Sequence, residues 1–328
     1  MQIDPTLRAL ADPTRLRIMR LLTAMELAVG ELAQVLGQSQ PRVSRHVKIL
    51  CDAGLARRRK EGSWVFLNSA IAEDRDLTTP TLGGATTRLL SAAERDDAGF
   101  AQRCGEDRRH LAAIRAARES SAAAYFARHA DQWDQMRSLL SDDAPVEAAL
   151  EAALLQSPLG ALLDVGTGTG RMAELFSPHA THVTAFDKSP EMLRIARARL
   201  QHLPTGGVTL VQGDFTDLPF ADGAFDTLLF HQVLHYAQAP ELVLAQAARV
   251  TRAHGRIAVV DLAAHDHEDM RSVHAHARLG FTDAQMADLF TAAGFAPAPA
   301  IALPGGQLTV KIWTGQRLPK PCAAPSPA

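Results

Sequence analysis

Near the N-terminus, apolar residues recur at helical spacing in three stretches, Leu7 to Leu22, Val29 to Leu36 and Ser39 to Leu50, with Gly37 between the last two. The pattern predicts a helix followed by two short helices joined through a tight turn, a helix-turn-helix. Gly54 to Leu67 then reads as two strands around a turn at Glu61-Gly62. Further along the period changes. Ala161 to Leu163 with Val165 is a short apolar run that reads as a buried parallel strand, and it breaks into Gly166, Gly168 and Gly170 before a helical pattern starts at Met172. A strand is predicted at His182 to Phe186, and Leu308 to Gly315 reads as a final edge strand. The expectation is an α/β protein with a smaller α+β unit in front.

Within the third helical stretch, Val43, Val47 and Leu50 share one face, while Pro41, Arg45 and Lys48 point the other way, flanked by Arg42 and Ser44. Ser39 is placed as an N-cap, and Pro41 falls in the first turn, where a missing amide proton costs little. A polar, basic helix face behind a tight turn is what a major groove accepts: arginine reads guanine edges, lysine neutralises phosphates, and the helix start at Ser39 and Gln40 suits a backbone phosphate. His46 lies nearer the apolar side, which favours a structural role over a DNA contact. The first predicted strand carries Arg57, Arg58, Arg59 and Lys60 in succession. A charge run is often only a solvated face; beside a helix-turn-helix it reads as a basic wing gripping phosphates.

Charge is segregated to match. The chain has 328 residues and a formal net charge of −2, yet from Thr6 to Asn68 there are eleven Lys and Arg against five Asp and Glu. The length leaves room for two domains. The proposed division is 1–70 for the DNA-binding part, 71–119 for a helical connector, 120–317 for the larger domain and 318–328 for a disordered tail. In the connector, Thr78 to Gly84 is a punctuated loop; Leu89, Leu90, Leu111 and Ile114 either form a dimer seam or pack on the preceding domain. Cys51, Cys104 and Cys322 lie far apart, neither a pairing framework nor a C-x-x-C site. No apolar run reaches bilayer-spanning length and the N-terminus lacks the regions of a signal peptide, so the expected setting is cytoplasmic, with no membrane partner.

The glycine turn reads Asp164-Val165-Gly166-Thr167-Gly168-Thr169-Gly170. The dinucleotide fingerprint spaces its glycines differently and presents a helix N-terminus to a pyrophosphate; here a carboxylate leads the turn, which suits a cationic ligand better. Asp187, 21 residues beyond Gly166 at the end of the next predicted strand, is placed to accept hydrogen bonds from ribose hydroxyls. A nucleoside with a positively charged tail is implied.

At these residues the chain resembles the class I AdoMet-dependent methyltransferases. Phe186 to Leu193, Gly213-Asp214-Phe215 with Leu218-Pro219-Phe220, Phe225 to Phe230, and Arg249-Val250 through Gly255 to Asp261 extend the likeness in order. The resemblance implies a doubly wound, mostly parallel Rossmann-like sheet that binds S-adenosylmethionine or S-adenosylhomocysteine. Asp164, Gly166 and Gly168 would meet the methionyl end, Asp187 the ribose, Met192 the adenine, Asp214 and Phe215 the base, with His231 also on the cofactor side. His235 and Tyr236 fall where this family places substrate-side residues, as a base or orienting group, or merely as part of a loop closing the pocket. Tyr125 to Asp134 is similar to the helix such enzymes fold over the cofactor; its aromatics either cap a pocket or pack on the sheet. His265, His267, His274 and His276, with Asp266, Glu268 and Asp269, form a segment that would line a pocket opening, bind zinc or nickel, or lie on a solvated helix. No metal site is assigned.

The N-terminal part resembles the ArsR/SmtB winged-helix regulators, from Ala9-Leu10-Ala11-Asp12-Pro13-Thr14-Arg15-Leu16 through Ser44-Arg45-His46-Val47-Lys48 to Ala53-Gly54-Leu55. This implies a homodimer on double-stranded operator DNA, commonly a repressor. Where metal-sensing members carry Cys-x-Cys, this chain has Ala28 and Gly30, so soft-metal ligation there has no ligands. The combined expectation is a regulator whose operator binding responds to S-adenosylmethionine or S-adenosylhomocysteine; the alternative is an active methyltransferase for a small-molecule acceptor, tethered to a DNA-binding domain.

Overall fold

The computed structural model describes residues 2–61, 64–71, 81–134, 136, 143–204, 206–305 and 308–319. The expected turn at Gly62, residues 78–80 of the expected loop and most of the expected tail lie outside them; the rest of that loop, from Leu82, is helical, with Thr81 as its N-cap. The chain divides into two compact units, Met1–Ser120 and Ser121–Ala328.

In the first unit, α1 (Ile3–Leu10) and α2 (Pro13–Ala24) replace the single helix expected over Leu7 to Leu22. The break has a local cause: Asp12 is extended, its carboxylate accepts from the Arg15 amide at 3.0 Å, and Pro13 occupies the first turn of α2. Then come β1 (Leu27–Ala28), α3 (Val29–Leu36), α4 (Gln40–Asp52), β2 (Ala56–Glu61) and β3 (Trp64–Ser69). Gly37 closes α3 at φ 62°, a left-handed conformation that glycine adopts without a Cβ clash. The hairpin pairs Arg57 with Asn68 and Arg59 with Phe66, and β1 adds a third strand by pairing Leu27 with Leu67. A two-residue strand has no period of its own, so only the pairing reveals it.

Two more helices, α5 (Leu82–Asp96) and α6 (Ala98–His129), follow. Leu90, Phe100, Cys104 and Leu111 are buried, whereas Leu89 is 53% exposed. Arg17 of α2 holds Asp107 at 2.7 Å, and Glu94 takes both Arg20 and Arg108 at 2.5 Å. The segment expected as a connector therefore contributes Leu90 and Leu111 to the core of the first unit and leaves Leu89 outside it.

The second unit is a sheet with helices on both faces. Strands β4 (Ala161–Val165), β5 (His182–Asp187), β6 (Val208–Gln212), β7 (Phe225–His231) and β8 (Thr251–Leu262) run parallel in the order β6-β5-β4-β7-β8. Beyond β8, β9 (Phe295–Pro297), β10 (Ile301–Gly305) and β11 (Leu308–Arg317) complete it, with β11 antiparallel to all three of its neighbours. The strand expected at the edge is thus interior: β11 lies between β8 on one side and β9 and β10 on the other.

Strand side chains alternate. Leu162, Ala185, Leu229 and Ala258 pack under Phe176 and Leu150 on one face, and Leu163, Phe186, Phe230 and Val259 pack under Val243 and Phe290 on the other. Both faces are covered, which is why these strands read as nearly continuous apolar runs. Chain order reverses between β4 and β7, and the loops leaving those two strands open the crevice in which such sheets hold ligands. Among the described residues no helix is long and apolar enough to cross a membrane.

Candidate functional site

Each unit presents its own site. On α4, burial of Val43, Val47 and Leu50 leaves Arg42, Ser44, Arg45 and Lys48 exposed, with Ser39 and Gln40 exposed at the helix start. Ser39 holds the N-cap position with extended backbone, but its hydroxyl makes no capping bond. His46 is half-buried and turned toward Asp12, 3.7 Å from Nδ1 to Oδ1, away from the basic face.

The four wing cations separate three to one. Arg57, Arg58 and Lys60 are exposed. Arg59 instead donates to both carboxylate oxygens of Glu26, at 3.0 and 2.8 Å, pairs with Glu61 and lies 4.7 Å over the Phe66 ring. Burial disfavours its charge, but Glu26 and Glu61 outweigh that and hold the guanidinium even more firmly protonated than usual. Arg59, expected with its neighbours to grip phosphate, is thus the one of the four whose guanidinium already holds carboxylate partners, Glu26 and Glu61.

In the second unit the site is built at the ends of β4, β5, β7 and β8. Asp164 is completely buried and accepts from the Thr167 hydroxyl at 2.5 Å, while the Gly166 and Thr167 amides donate to the Phe186 carbonyl at 2.7 and 3.0 Å. These bonds fold the glycine turn back over β5. Gly166 has φ 71°, and a Cβ there would stand 2.3 Å from Val233 Cγ2. Gly168 has φ 54°; its amide donates to Asp187 Oδ2 at 2.8 Å, and a Cβ there would stand 3.7 Å from Trp133 Nε1. Glycine is required at both: the backbone is left-handed, and at 166 there is no room for a side chain.

Asp187 also accepts from the Ser189 amide at 2.8 Å through Oδ1. Each oxygen therefore takes one backbone N–H and keeps capacity for another donor. Desolvation pushes this carboxyl above its ordinary range, against the pull of the amides of Ser189, Gly168 and Lys188. Ser189 caps the following helix, Pro190–Leu200, by accepting from the Met192 amide at 3.2 Å, and Met192 is buried. Asp214 accepts from Lys188 at 2.7 Å and from the Thr216 hydroxyl at 2.6 Å. Although burial opposes it, these bonds hold its carboxyl below the usual range. Phe215 beside it is half-buried, and His231 is buried at the end of β7.

Aromatic residues gather above the turn. Phe126 meets Trp133 and Tyr236 edge-on at 5.3 and 4.9 Å between ring centres. Asp134 next to Trp133 accepts from the Thr169 hydroxyl at 2.7 Å and pairs with Arg199, which fastens this stretch to the turn's second threonine. The Tyr125 to Asp134 aromatics therefore form a cap over the glycine turn.

After β7 a one-turn helix, Leu234–Tyr236, carries His235. Its Nδ1 lies 2.7 Å from Asp261 Oδ1, its backbone amide donates to Asp261 Oδ2 at 3.1 Å, and the Leu262 amide donates to Asp261 Oδ1 at 2.7 Å. Asp261 is completely buried and His235 is 3% exposed. The histidine-rich segment folds back here, with the amides of Ala277 and Arg278 donating to the His235 carbonyl at 3.1 and 2.9 Å. That return sets the His276 ring 4.1 Å from the His235 ring. Burial, then the neighbouring His235, His274, His265 and Arg271, drives the His276 imidazole strongly toward its neutral form. Among the described residues no group of three or more His, Cys, Asp or Glu is placed to hold a metal.

Asp261 and His276 are functional candidates that the sequence reading left as a strand end and as one of several histidines. The only signal available was that Asp261 ends a strand at the same sheet edge as the His231 to Tyr236 loop.

Comparison with known proteins agrees with both units. Residues 12–58 match the model of the bacterial regulatory protein, arsR family, and residues 163–259 match that of a methyltransferase domain. The demethylmenaquinone methyltransferase of Thermobifida fusca is 33% identical over 141 residues, 42% of this chain and 60% of that protein. The malonyl-[acyl-carrier protein] O-methyltransferase of Herminiimonas arsenicoxydans is 33% identical over 178 residues, 52% of this chain and 64% of that protein. The chain thus spans 60% to 64% of the length of these relatives. Among solved structures, the Burkholderia thailandensis 1,6-didemethyltoxoflavin-N1-methyltransferase with bound S-adenosylhomocysteine aligns at 23% identity and TM-score 0.47, over 61% of this chain and 90% of that one.

Proposed function

We propose that this chain, which joins an ArsR-type winged helix-turn-helix to a methyltransferase domain, is an operator-binding regulator, acting as a homodimer, whose second unit binds S-adenosylmethionine or S-adenosylhomocysteine and thereby adjusts DNA affinity. One observation carries the reading: an exposed basic face on α4, Arg42, Ser44, Arg45 and Lys48, occurs in one chain with an acid-and-glycine crevice. The crevice residues fit the ligand. Asp187 offers acceptor capacity for two ribose hydroxyls, the floor at Gly166 and Gly168 has no side chains, and Met192 with Phe215 supplies apolar surface for a base. When bound, S-adenosylmethionine supplies a methyl group on a sulfonium; S-adenosylhomocysteine lacks both that methyl and the charge.

A coupling of about 1–3 kcal/mol between the two sites changes DNA affinity about 5- to 150-fold. The test begins by selecting a binding sequence from a random duplex library. Fluorescence anisotropy on that duplex at fixed salt is then titrated with each nucleoside separately. A shift in DNA affinity with one nucleoside is the expected result. Unchanged affinity with both, while calorimetry shows them bound, refutes regulation by this ligand.

A second reading, methyl transfer to a small acceptor, is supported by the contact between His235 Nδ1 and buried Asp261 at the carboxyl edge of the sheet. It requires labelled methyl groups to leave S-adenosylmethionine for an acceptor, measured with and without DNA.

A further inference from the structure

Helix α6 (Ala98–His129) belongs to both units, because the boundary between them falls inside it, between Ser120 and Ser121. Each end is anchored within its own unit. Near the start, Asp107 accepts from Arg17 of α2 at 2.7 Å, Leu111 is buried, and His110 Nδ1 lies 3.3 Å from the carbonyl oxygen of Val35 in α3. α3 leads through Gly37 into α4, so this end of α6 touches the helix-turn-helix itself. At the other end the Tyr125 hydroxyl lies 3.0 Å from His274 Nδ1, and Phe126 meets Trp133 and Tyr236 in the cap over the glycine turn. Between Leu111 and Ala130 no described side chain is buried.

A helical stretch with no buried face is held by local propensity and its own hydrogen-bond ladder, and a free helix shorter than about 12–15 residues is marginal in water. Residues 112–124 are such a stretch. Seven of these thirteen residues are alanine, the strongest helix former. Against them stand Ser120 and Ser121, side by side at the unit boundary, whose hydroxyls compete for backbone groups and weaken a helix interior. Helix extends easily from a turn already formed but starts anew only at a cost, so anything that fixes either end of the stretch favours helix through it.

We propose that residues 112–124 of α6 are the element that couples the two sites, by a balance between helix and coil. A nucleoside bound beneath the cap fixes the C-terminal end of α6, favours helix through the exposed stretch, and so biases the end that holds Arg17 and Val35. This rests on the regulation proposed above and names its route. The coupling is reciprocal: DNA bound to α4 acts on the same stretch from its other end. It works only while helix and coil are close in free energy, because a ligand moves an equilibrium by no more than its unequal affinity for the two states. The opposing alanines and serines keep the stretch near that balance.

The experiment measures affinity for the selected duplex by anisotropy, with and without each nucleoside, on the full chain and on two pairs of substitutions at exposed positions. Ala116→Gly with Ala117→Gly moves the stretch toward coil by about 15- to 30-fold. The nucleoside effect on DNA, about 5- to 150-fold in the unaltered chain, should then fall to within about twofold of none, as for independent sites, while calorimetry still shows the nucleoside bound. Ser120→Ala with Ser121→Ala favours helix and should move the nucleoside-free DNA affinity in the direction in which the nucleoside moves it. An effect undiminished by the glycines, or a serine variant whose affinity stays put or moves the other way, overturns the inference. If the glycine variant loses either binding outright, amide hydrogen exchange of the unaltered chain decides: slower exchange across residues 112–124 with nucleoside bound supports the route, and unchanged exchange overturns it. An unaltered chain whose DNA affinity ignores a bound nucleoside refutes the proposed regulation instead, so the two failures are distinguishable.

Discussion

The basic face of α4 and the crevice of the second unit reach function by opposite routes. On α4 the side chains proposed to meet DNA are exposed, and one helical period places them: three buried residues, Val43, Val47 and Leu50, turn Arg42, Ser44, Arg45 and Lys48 outward. In the crevice, Asp164, His235 and Asp261 are buried and come from the ends of different strands, so the sheet must form before they meet. A surface built on one helix tolerates change residue by residue. A site assembled from several strand ends depends on buried partners, and losing one leaves another unpaired.

The largest effect expected is a test of whether the first unit also relies on buried pairing. Asp107→Ala leaves Arg17, whose side chain is 20% exposed, without its carboxylate, so the loss approaches but does not reach the roughly 3–5 kcal/mol of a fully buried pair. Urea unfolding followed by tryptophan fluorescence and circular dichroism should show that loss; an unchanged midpoint would mean α6 is not integral to this unit. Next, Asp187→Ala should weaken both nucleosides by about 100-fold or more, since two hydrogen bonds to a charged acceptor are worth about 1.5–3 kcal/mol each. Calorimetry reads the affinity, and retained affinity would show the crevice idle. Because burial raises the Asp187 carboxyl, protonation sets in at a higher pH than for an exposed aspartate, so nucleoside affinity should decline on acidification while ordinary carboxylates, at about 3.9, are still charged. The Asp187→Ala variant should lack that dependence.

Smaller changes are expected on the DNA face. Arg45→Ala should cost about 1–3 kcal/mol on the selected duplex and relax sequence preference, measured by competition with variant duplexes. The least is expected for the wing, where exposed and paired arginines part company. Arg58→Ala should weaken all duplexes alike and reduce the salt slope by about one. Arg59→Ala should leave the salt slope alone and lower thermal stability, because Glu26 and Glu61 lose their partner. Equal salt slopes in the two variants would erase the distinction drawn between them.

The pattern of the chain made legible whatever a single element decides. The α4 face, the glycine turn and the acid ending β5 follow from periodicity and from residues close in sequence. The break between α1 and α2 was local too, written in Asp12 and Pro13, yet the apolar period across it masked the signal. Arg59 could not be told from its three basic neighbours, because what separates it is Glu26, 33 positions away. The same holds for β11, whose place inside the sheet depends on β9 and β10 joining it from the same side.

The sequence by itself determined the helix-turn-helix, which face of α4 is polar, and that an acid and three glycines surround one turn, since each depends on neighbours within a few residues. Tertiary structure alone decided that Asp261 backs His235 from 26 residues away and that the returning segment stacks His276 against it. The physical reason is that burial and pairing belong to contacts between distant parts of the chain. A carboxylate and an imidazole have no fixed meaning along a sequence until packing removes water and sets each against particular partners.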